Sequence, residues 1–189
     1  MSSNYTYLIR RKVFKLFGAA FHIYDPQGRM IGFSNQKAFK LKEDIRVYTD
    51  ESMSQEMLLI QARQIIDFSA YYDIYDSETE QLLGTWQRKG ISSIFRDKWI
   101  LLDANGNQIG EIKEDSLFLA LFRRFICNIL PQSYGLYIGE QKTEVATYGQ
   151  NFNPFVFKLK VNVLPECTLP PQLVLAGGIL LTAIEGRQQ

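Results

Sequence analysis

The stretch 173-LVLAGGILLTAIEG-186 carries twelve uncharged, mostly apolar residues from Leu173 to Ile184 before the first charge at Glu185. Three readings compete for it: a membrane anchor, a partner-binding helix, or an element of the protein's own core. Pro170-Pro171 stands directly before it, and proline costs nothing in the first turn of a helix. About fourteen helical residues at ~1.5 Å each reach roughly 21 Å, short of the ~30 Å of bilayer hydrocarbon. The helix is apolar all round, whereas a surface or interfacial helix keeps one polar face. Ala176, Gly177 and Gly178 make its middle thin. A thin apolar rod of this length fits inside a closed sheet, and that is the fold expected.

The rest of the chain supplies the sheet. Three segments share one shape: 24-YDPQGRMIG-32, 75-YDSETEQLLG-84 and 102-LDANGNQIG-110. Each places Asp ahead of a polar turn and returns through an aliphatic residue and Gly. Asp caps such a turn through its side chain, and Gly28 and Gly106 supply the positive φ that a tight hairpin needs. Strand-forming residues flank the turns at 21–24, 45–48, 71–75, 98–102, 109–112, 134–139 and 144–148. In 155-FVFKLKVNV-163 the alternation is strict, with Phe155, Phe157, Leu159, Val161 and Val163 on one face and Lys158, Lys160 and Asn162 on the other. Recurrent turns and period-two strands predict a meandering antiparallel sheet closed into a barrel. One stretch departs from this. Residues 116–129 form an apolar run of helical length, with acidic residues and Ser116 at its start and Pro131 after its end, so a further helix is expected there.

Length and composition set bounds on function. At 189 residues the chain suits one domain, 1–189, with a core that needs no staples. A net charge of +1 gives no global field to recruit nucleic acid, so any binding to anionic membrane needs a local patch. Two cysteines, Cys127 and Cys167, form no CxxC motif, and a reducing cytoplasm is the default compartment. The run 9-IRRKVFKLFGAAF-21 is basic and then apolar, but Lys15 interrupts it and the apolar part is too short for a secretory signal.

Four stretches in order, 37-KAFKLKEDIRVYTDE-51, 93-SIFRDKWILLDANGNQIGEIKEDS-116, 120-ALFRRF-125 and 173-LVLAGGILLTAIEGRQ-188, resemble the tubby C-terminal-like superfamily. That group includes tubby proteins, phospholipid scramblases and LURP-one-related proteins. The chain is most similar to the LURP-one-related and bacterial scramblase-like members, over roughly Tyr7 to Gln188. The resemblance implies about twelve strands closed around a central C-terminal helix. It also raises the expectation of lipid binding, since tubby proteins hold phosphoinositides on a basic surface site. The cysteine-rich palmitoylation stretch and proline-rich N-terminal region of animal scramblases are absent from this sequence.

Catalytic chemistry is poorly supplied, and no enzyme is expected. His22 is the one histidine and lies in a strand-like AFHIYD, while no GxSxG, HExxH, GxGxxG or P-loop pattern occurs. Cys127 sits in the apolar run, where a thiol is packing material. A calcium loop could be read into 103-DANGNQIGEIKE-114, but Gln108 stands where such a loop needs Gly and the second half reads as strand, so a hairpin explains the same letters. No metal and no cofactor are expected.

Contact with a membrane surface is the remaining candidate. Arg10, Arg11, Lys12 and Lys15 cluster near the N-terminus, and Arg123 and Arg124 interrupt a helix that carries Phe118 and Phe122. Guanidinium groups grip phosphates and aromatic rings sit among headgroups. The plain alternatives are a solvated strand edge, where charge deters aggregation, and a helix that packs its phenylalanines with its arginines in water. Two functions follow: a phospholipid- or membrane-surface-binding module, cytoplasmic and peripheral at the membrane, or a soluble protein-protein interaction barrel. A true scramblase ranks below both, because no polar path for headgroups is visible. The lipid reading requires the basic residues to converge, and the scaffold reading requires scattered charges with an exposed apolar patch or a paired sheet edge.

Overall fold

A computed structural model of the chain describes residues 6–14, 18–36, 44–63, 69–89, 98–114, 133–151 and 156–184. Twelve strands appear: β1 (Tyr7–Phe14), β2 (Gly18–Tyr24), β3 (Met30–Gln36), β4 (Ile45–Tyr48), β5 (Glu56–Ala62), β6 (Ser69–Asp76), β7 (Leu82–Lys89), β8 (Lys98–Leu102), β9 (Gln108–Glu114), β10 (Ser133–Ile138), β11 (Thr143–Asn151) and β12 (Phe157–Val163), followed by α1 (Pro171–Ile184). Every strand pairs antiparallel with its neighbours in sequence, and β1 closes the ring on β12. The fold is therefore a closed twelve-stranded barrel with the helix inside it. The helix expected at 116–129 lies outside the described residues.

Burial decides among the three readings of residues 173–184. Every residue of α1 from Leu173 to Ile184 is buried. The helix touches β12 and β1 on one wall and β6 and β7 on the opposite one, so it runs through the lumen. No helix among the described residues is long and apolar enough to cross a membrane. Inward residues of the strands complete the core, among them Ile9, Phe21, Leu58, Tyr72, Trp86, Leu136, Tyr148 and Val161.

The two glycines of α1 are where the wall touches the helix backbone. A Cβ on Gly177 would stand 3.0 Å from Tyr148 Oη and 3.1 Å from Trp86 Cζ2, and one on Gly178 would stand 2.8 Å from Ile9 Cδ1. With no side chain in the way, Trp86 Nε1 donates to Leu173 O at 3.0 Å and Tyr148 Oη donates to Val174 O at 3.0 Å. The polar tips of Trp86 and Tyr148 are thereby satisfied, which is what permits them at full burial. Burial also pushes the Tyr148 phenol pKa up.

Two of the three repeated turns are near-copies. Asp25 Oδ1 accepts from the amides of Gln27 and Arg29 at 2.9 and 2.8 Å, and Asp103 Oδ1 accepts from those of Asn105 and Asn107 at 2.9 and 2.8 Å. Gly28 (φ 78°) and Gly106 (φ 86°) take the left-handed position, as the sequence implies. In the third turn, Glu80 takes it instead, at φ 56°. Asp76 there accepts from the amides of Glu78 and Thr79 and also from Gln172 Nε2 at 3.1 Å, which ties this turn to the start of α1.

Candidate functional site

The basic run at the N-terminus becomes β1, and strand alternation splits it. Ile9 and Arg11 point inward and Arg10 and Lys12 outward. Arg11 is 6% exposed, and its Nη1 donates to Thr182 O at 3.2 Å, in the last turn of α1. The last turn holds no basic residue of its own. Arg11 supplies from the wall the cation that a helix C-terminus favours. It is therefore a core residue rather than part of an outer basic patch. The alternative of a solvated sheet edge is also corrected: β1 is hydrogen-bonded on one side to β12 and on the other to β2, so it has no edge.

Closure of the barrel brings in two cations that were legible only as the polar face of β12. Arg10 stands directly opposite Lys158, and Leu8 opposite Lys160. Arg10, Lys12, Lys158 and Lys160 thus share the outer face of the β1–β12 seam. Like charges directly opposite on neighbouring strands are destabilising, so Arg10 and Lys158 do not face one another for the sake of the sheet. Arg10 has no side-chain hydrogen bond or ion pair among the described residues, and its Nε is buried without an acceptor. The signal that could have found the seam was the closed-barrel expectation itself, which sets the first strand beside the last. Lys15, Arg123, Arg124, Phe118 and Phe122 lie outside the described residues.

A second basic cluster centres on a carboxylate of β9. Glu111, with a side chain 7% exposed, meets Lys113 Nζ at 2.8 Å, Lys98 Nζ at 3.1 Å and Lys142 Nζ at 3.3 Å. Burial works against its charged form, but hydrogen bonds from Lys113, Lys98 and Lys142 prevail and bring its pKa down to about 2. Three ammonium groups on one carboxylate leave an excess of positive charge on this wall. The sequence showed no sign of the cluster, because Lys142 arrives from the β10–β11 turn.

His22 lies on β2, 5% exposed, with Nε2 2.8 Å from Glu51 Oε1 and its ring edge-on to Phe33 at 5.1 Å. It is a packed strand histidine with a carboxylate partner. Both carboxylate oxygens of Asp103 are engaged in its own turn, Oδ2 accepting from Asn107 Nδ2 at 3.1 Å. Those bonds, first that from the Asn107 side chain, hold the Asp103 pKa below its ordinary value. The letters that suggested a calcium loop thus build a hairpin. Among the described residues, no three His, Cys, Asp or Glu side chains gather as a metal-binding group.

A closed twelve-stranded barrel threaded by its C-terminal helix, with cations on its outer wall, is the class these observations define. The family model described as LURP-one-related matches residues 30–176, and the chain belongs to that family. A solved structure of a protein from Arabidopsis thaliana is similar at a TM-score of 0.49 and 13% identity, covering 97% of this chain and 93% of that one. No curated protein sequence matches the chain.

Proposed function

We propose that this LURP-one-related barrel is a non-enzymatic module that binds the anionic phospholipid surface of a membrane from the cytoplasmic side. The observation that carries the reading is the placement of Arg10 opposite Lys158, with Lys12 and Lys160 beside them. This arrangement opposes sheet stability, and anionic phosphates relieve it. Each lysine or arginine near an anionic surface contributes about 1 kcal/mol, so four reach a useful affinity with no enclosed pocket. A kinship of activity with tubby-like and scramblase-like proteins is part of the same proposal, restricted to headgroup binding without lipid transfer.

The scaffold reading asks for an exposed apolar patch. Met53, 45% exposed, is the one large hydrophobic side chain exposed among the described residues.

Sedimentation with liposomes tests the proposal. Binding to phosphatidylserine vesicles that falls steeply between low and physiological salt, with none to phosphatidylcholine alone, is the expected result. Equal binding to both vesicles, or to neither, refutes it and leaves a barrel whose partner is a protein.

A further inference from the structure

Two turns of this barrel are built alike, and one carries a reactive pair of residues that the other lacks. In 25-DPQGR-29 and 103-DANGN-107 the aspartate's Oδ1 accepts from the amides two and four positions on. The glycine amides donate to the carbonyl of that aspartate at 3.0 Å in both, Gly28 N to Asp25 O and Gly106 N to Asp103 O. The closing bonds match as well, from Asp25 N to Arg29 O and from Asp103 N to Asn107 O, both at 2.9 Å. The residue before the glycine differs. It is Gln27 in one turn and Asn105 in the other.

That difference is chemical. The peptide nitrogen that follows an asparagine can attack the side-chain carbonyl carbon and close a five-membered imide. After a glutamine the ring has six members and closes far more slowly. A following glycine favours the attack, because no Cβ hinders its nitrogen and its backbone turns freely. Asn105-Gly106 is the only Asn-Gly pair in the chain. Asn105, Gly106 and Asn107 are all exposed, so water and hydroxide reach them. The space around Gly106 is open too, since a Cβ built there would meet no atom within 4 Å.

The closed hairpin opposes the reaction. Gly106 N is the nucleophile, and its proton is committed to Asp103 O. Ring closure needs that proton gone and the nitrogen turned towards Asn105 Cγ. Asp103 Oδ1 fixes the amides of Asn105 and Asn107, and Oδ2 accepts from Asn107 Nδ2 at 3.1 Å, so the backbone on both sides of Gly106 is tied to one carboxylate.

We propose that Asn105 is a site of spontaneous conversion to aspartate and isoaspartate, and that Asp103 sets its rate by holding the turn closed. Hydroxide removes the Gly106 amide proton, and Gly106 N bonds to Asn105 Cγ. The Cγ–Nδ2 bond breaks, and the nitrogen leaves as ammonia with a proton drawn from water. Water then opens the imide. Cleavage between Cγ and Gly106 N gives aspartate, and cleavage between the Asn105 carbonyl carbon and Gly106 N gives isoaspartate. Either product places a new negative charge beside Asp103. Isoaspartate also adds a methylene to the main chain within the span that Asp103 Oδ1 bridges, from Asn105 N to Asn107 N, so the altered turn does not recover the same bonds. The step is one-way, and the β8–β9 hairpin keeps a record of the time it has spent open. Nothing in this chemistry depends on a membrane.

The test incubates the full chain at mildly alkaline pH, digests it with trypsin and follows peptides 99–113 and 16–29 by mass spectrometry, since these carry the two turns. Amide-to-acid conversion at Asn105, with Gln27 unchanged, is the expected result, and chromatographic retention separates isoaspartate from aspartate. Asp103→Ala is expected to speed the conversion by about tenfold, the effect of losing hydrogen bonds to a charged acceptor. Asp103→Asn keeps an acceptor oxygen without the charge and is expected to fall between. In concentrated urea, where no turn persists, the three chains are expected to convert at equal rates to within about twofold. No conversion at Asn105 in folded Asp103→Ala overturns the site. Equal rates for the folded unaltered and Asp103→Ala chains overturn the lock. A difference that persists undiminished in urea shows that the charge of Asp103 acts without the turn, and also overturns it. Circular dichroism separates an open turn from an unfolded chain. Should Asp103→Ala not fold, Gln27→Asn with and without Asp25→Ala repeats the comparison in the twin turn.

Discussion

Replacing Gly178 by alanine sets two physical effects against one another. Alanine is the better helix former by about 1 kcal/mol, so propensity alone makes Gly178→Ala stabilising. The packing around it acts in the opposite direction. The new Cβ falls 2.8 Å from Ile9 Cδ1 and 3.1 Å from Val161 Cγ2, both at the centre of a fully buried wall. Overpacking of this kind costs about 1–3 kcal/mol, which leaves a net destabilisation of up to ~2 kcal/mol. Ile9→Val removes the Cδ1 methyl that clashes. Alone it costs about 0.5–1.5 kcal/mol as a buried deletion, but in the Gly178→Ala background it makes room, so its cost falls or reverses. A double-mutant cycle by urea denaturation, followed through the fluorescence of Trp86 and Trp99, is expected to return a coupling of about 1 kcal/mol or more. A higher urea midpoint for Gly178→Ala, with effects additive to within ~0.5 kcal/mol, refutes the claim that the helix is thin because the wall requires it.

Arg11→Met keeps most of the side chain's volume and removes its bond to Thr182 O, so a loss of about 1–2 kcal/mol in chemical denaturation is expected, with no change in vesicle partitioning because Arg11 faces the core. Glu111→Gln is expected to cost about 1–2 kcal/mol near neutral pH, the solvent exposure of its three lysines keeping the figure small. Because the folded-state pKa of Glu111 is depressed from 4.5 to about 2, its contribution is complete above pH 4.5 and is lost as the pH falls through 2. The stability gap between Glu111→Gln and the unaltered protein is therefore expected to be flat at neutral pH and to close over that interval; a gap that persists below pH 2 contradicts the ion cluster.

The fold was legible because its signals are local or nearly so. The apolar run at 173–184 is too short for a bilayer and too uniformly apolar for a surface, and its glycines sit where the wall comes closest. Asp25 and Asp103 announce their hairpins by chemistry that spans four residues. A strand without such punctuation was harder to see: β5 (Glu56–Ala62) carries long or polar side chains on one face and follows none of the three repeated turns. The candidate site was half legible. Alternation along 155–163 already put Lys158 and Lys160 on one face, but their neighbour Arg10 lies almost the whole chain away, and only closure makes them adjacent. The inward turn of Arg11 was hidden for the same reason, since an arginine in a run of four basic residues gives no sign that a helix end waits for it.

The same closure explains why the outer wall is free to carry charge that the sheet does not want. In a sandwich, each sheet must bury one whole face against its partner, and the pattern of the strands is committed to that packing. In this barrel α1 fills the lumen, and Leu173 to Ile184 supply apolar surface to the inward residues of opposite walls. Hairpins and core set the inner face, and on the outer face, where Gln87 and Ile100 are buried as well, the exposed positions Lys12, Lys89, Lys98 and Lys160 keep the freedom to vary. Random use of that freedom scatters charges of both signs, since pairing opposite charges across strands is the cheaper arrangement. Instead Arg10 faces Lys158 and Lys89 faces Lys98. Composition cannot register such an arrangement: a net charge of +1 does not say which cations the register sets side by side. The register that sets Arg10 beside Lys158, and not the sum of charge, is the observation on which the proposed surface-binding role stands.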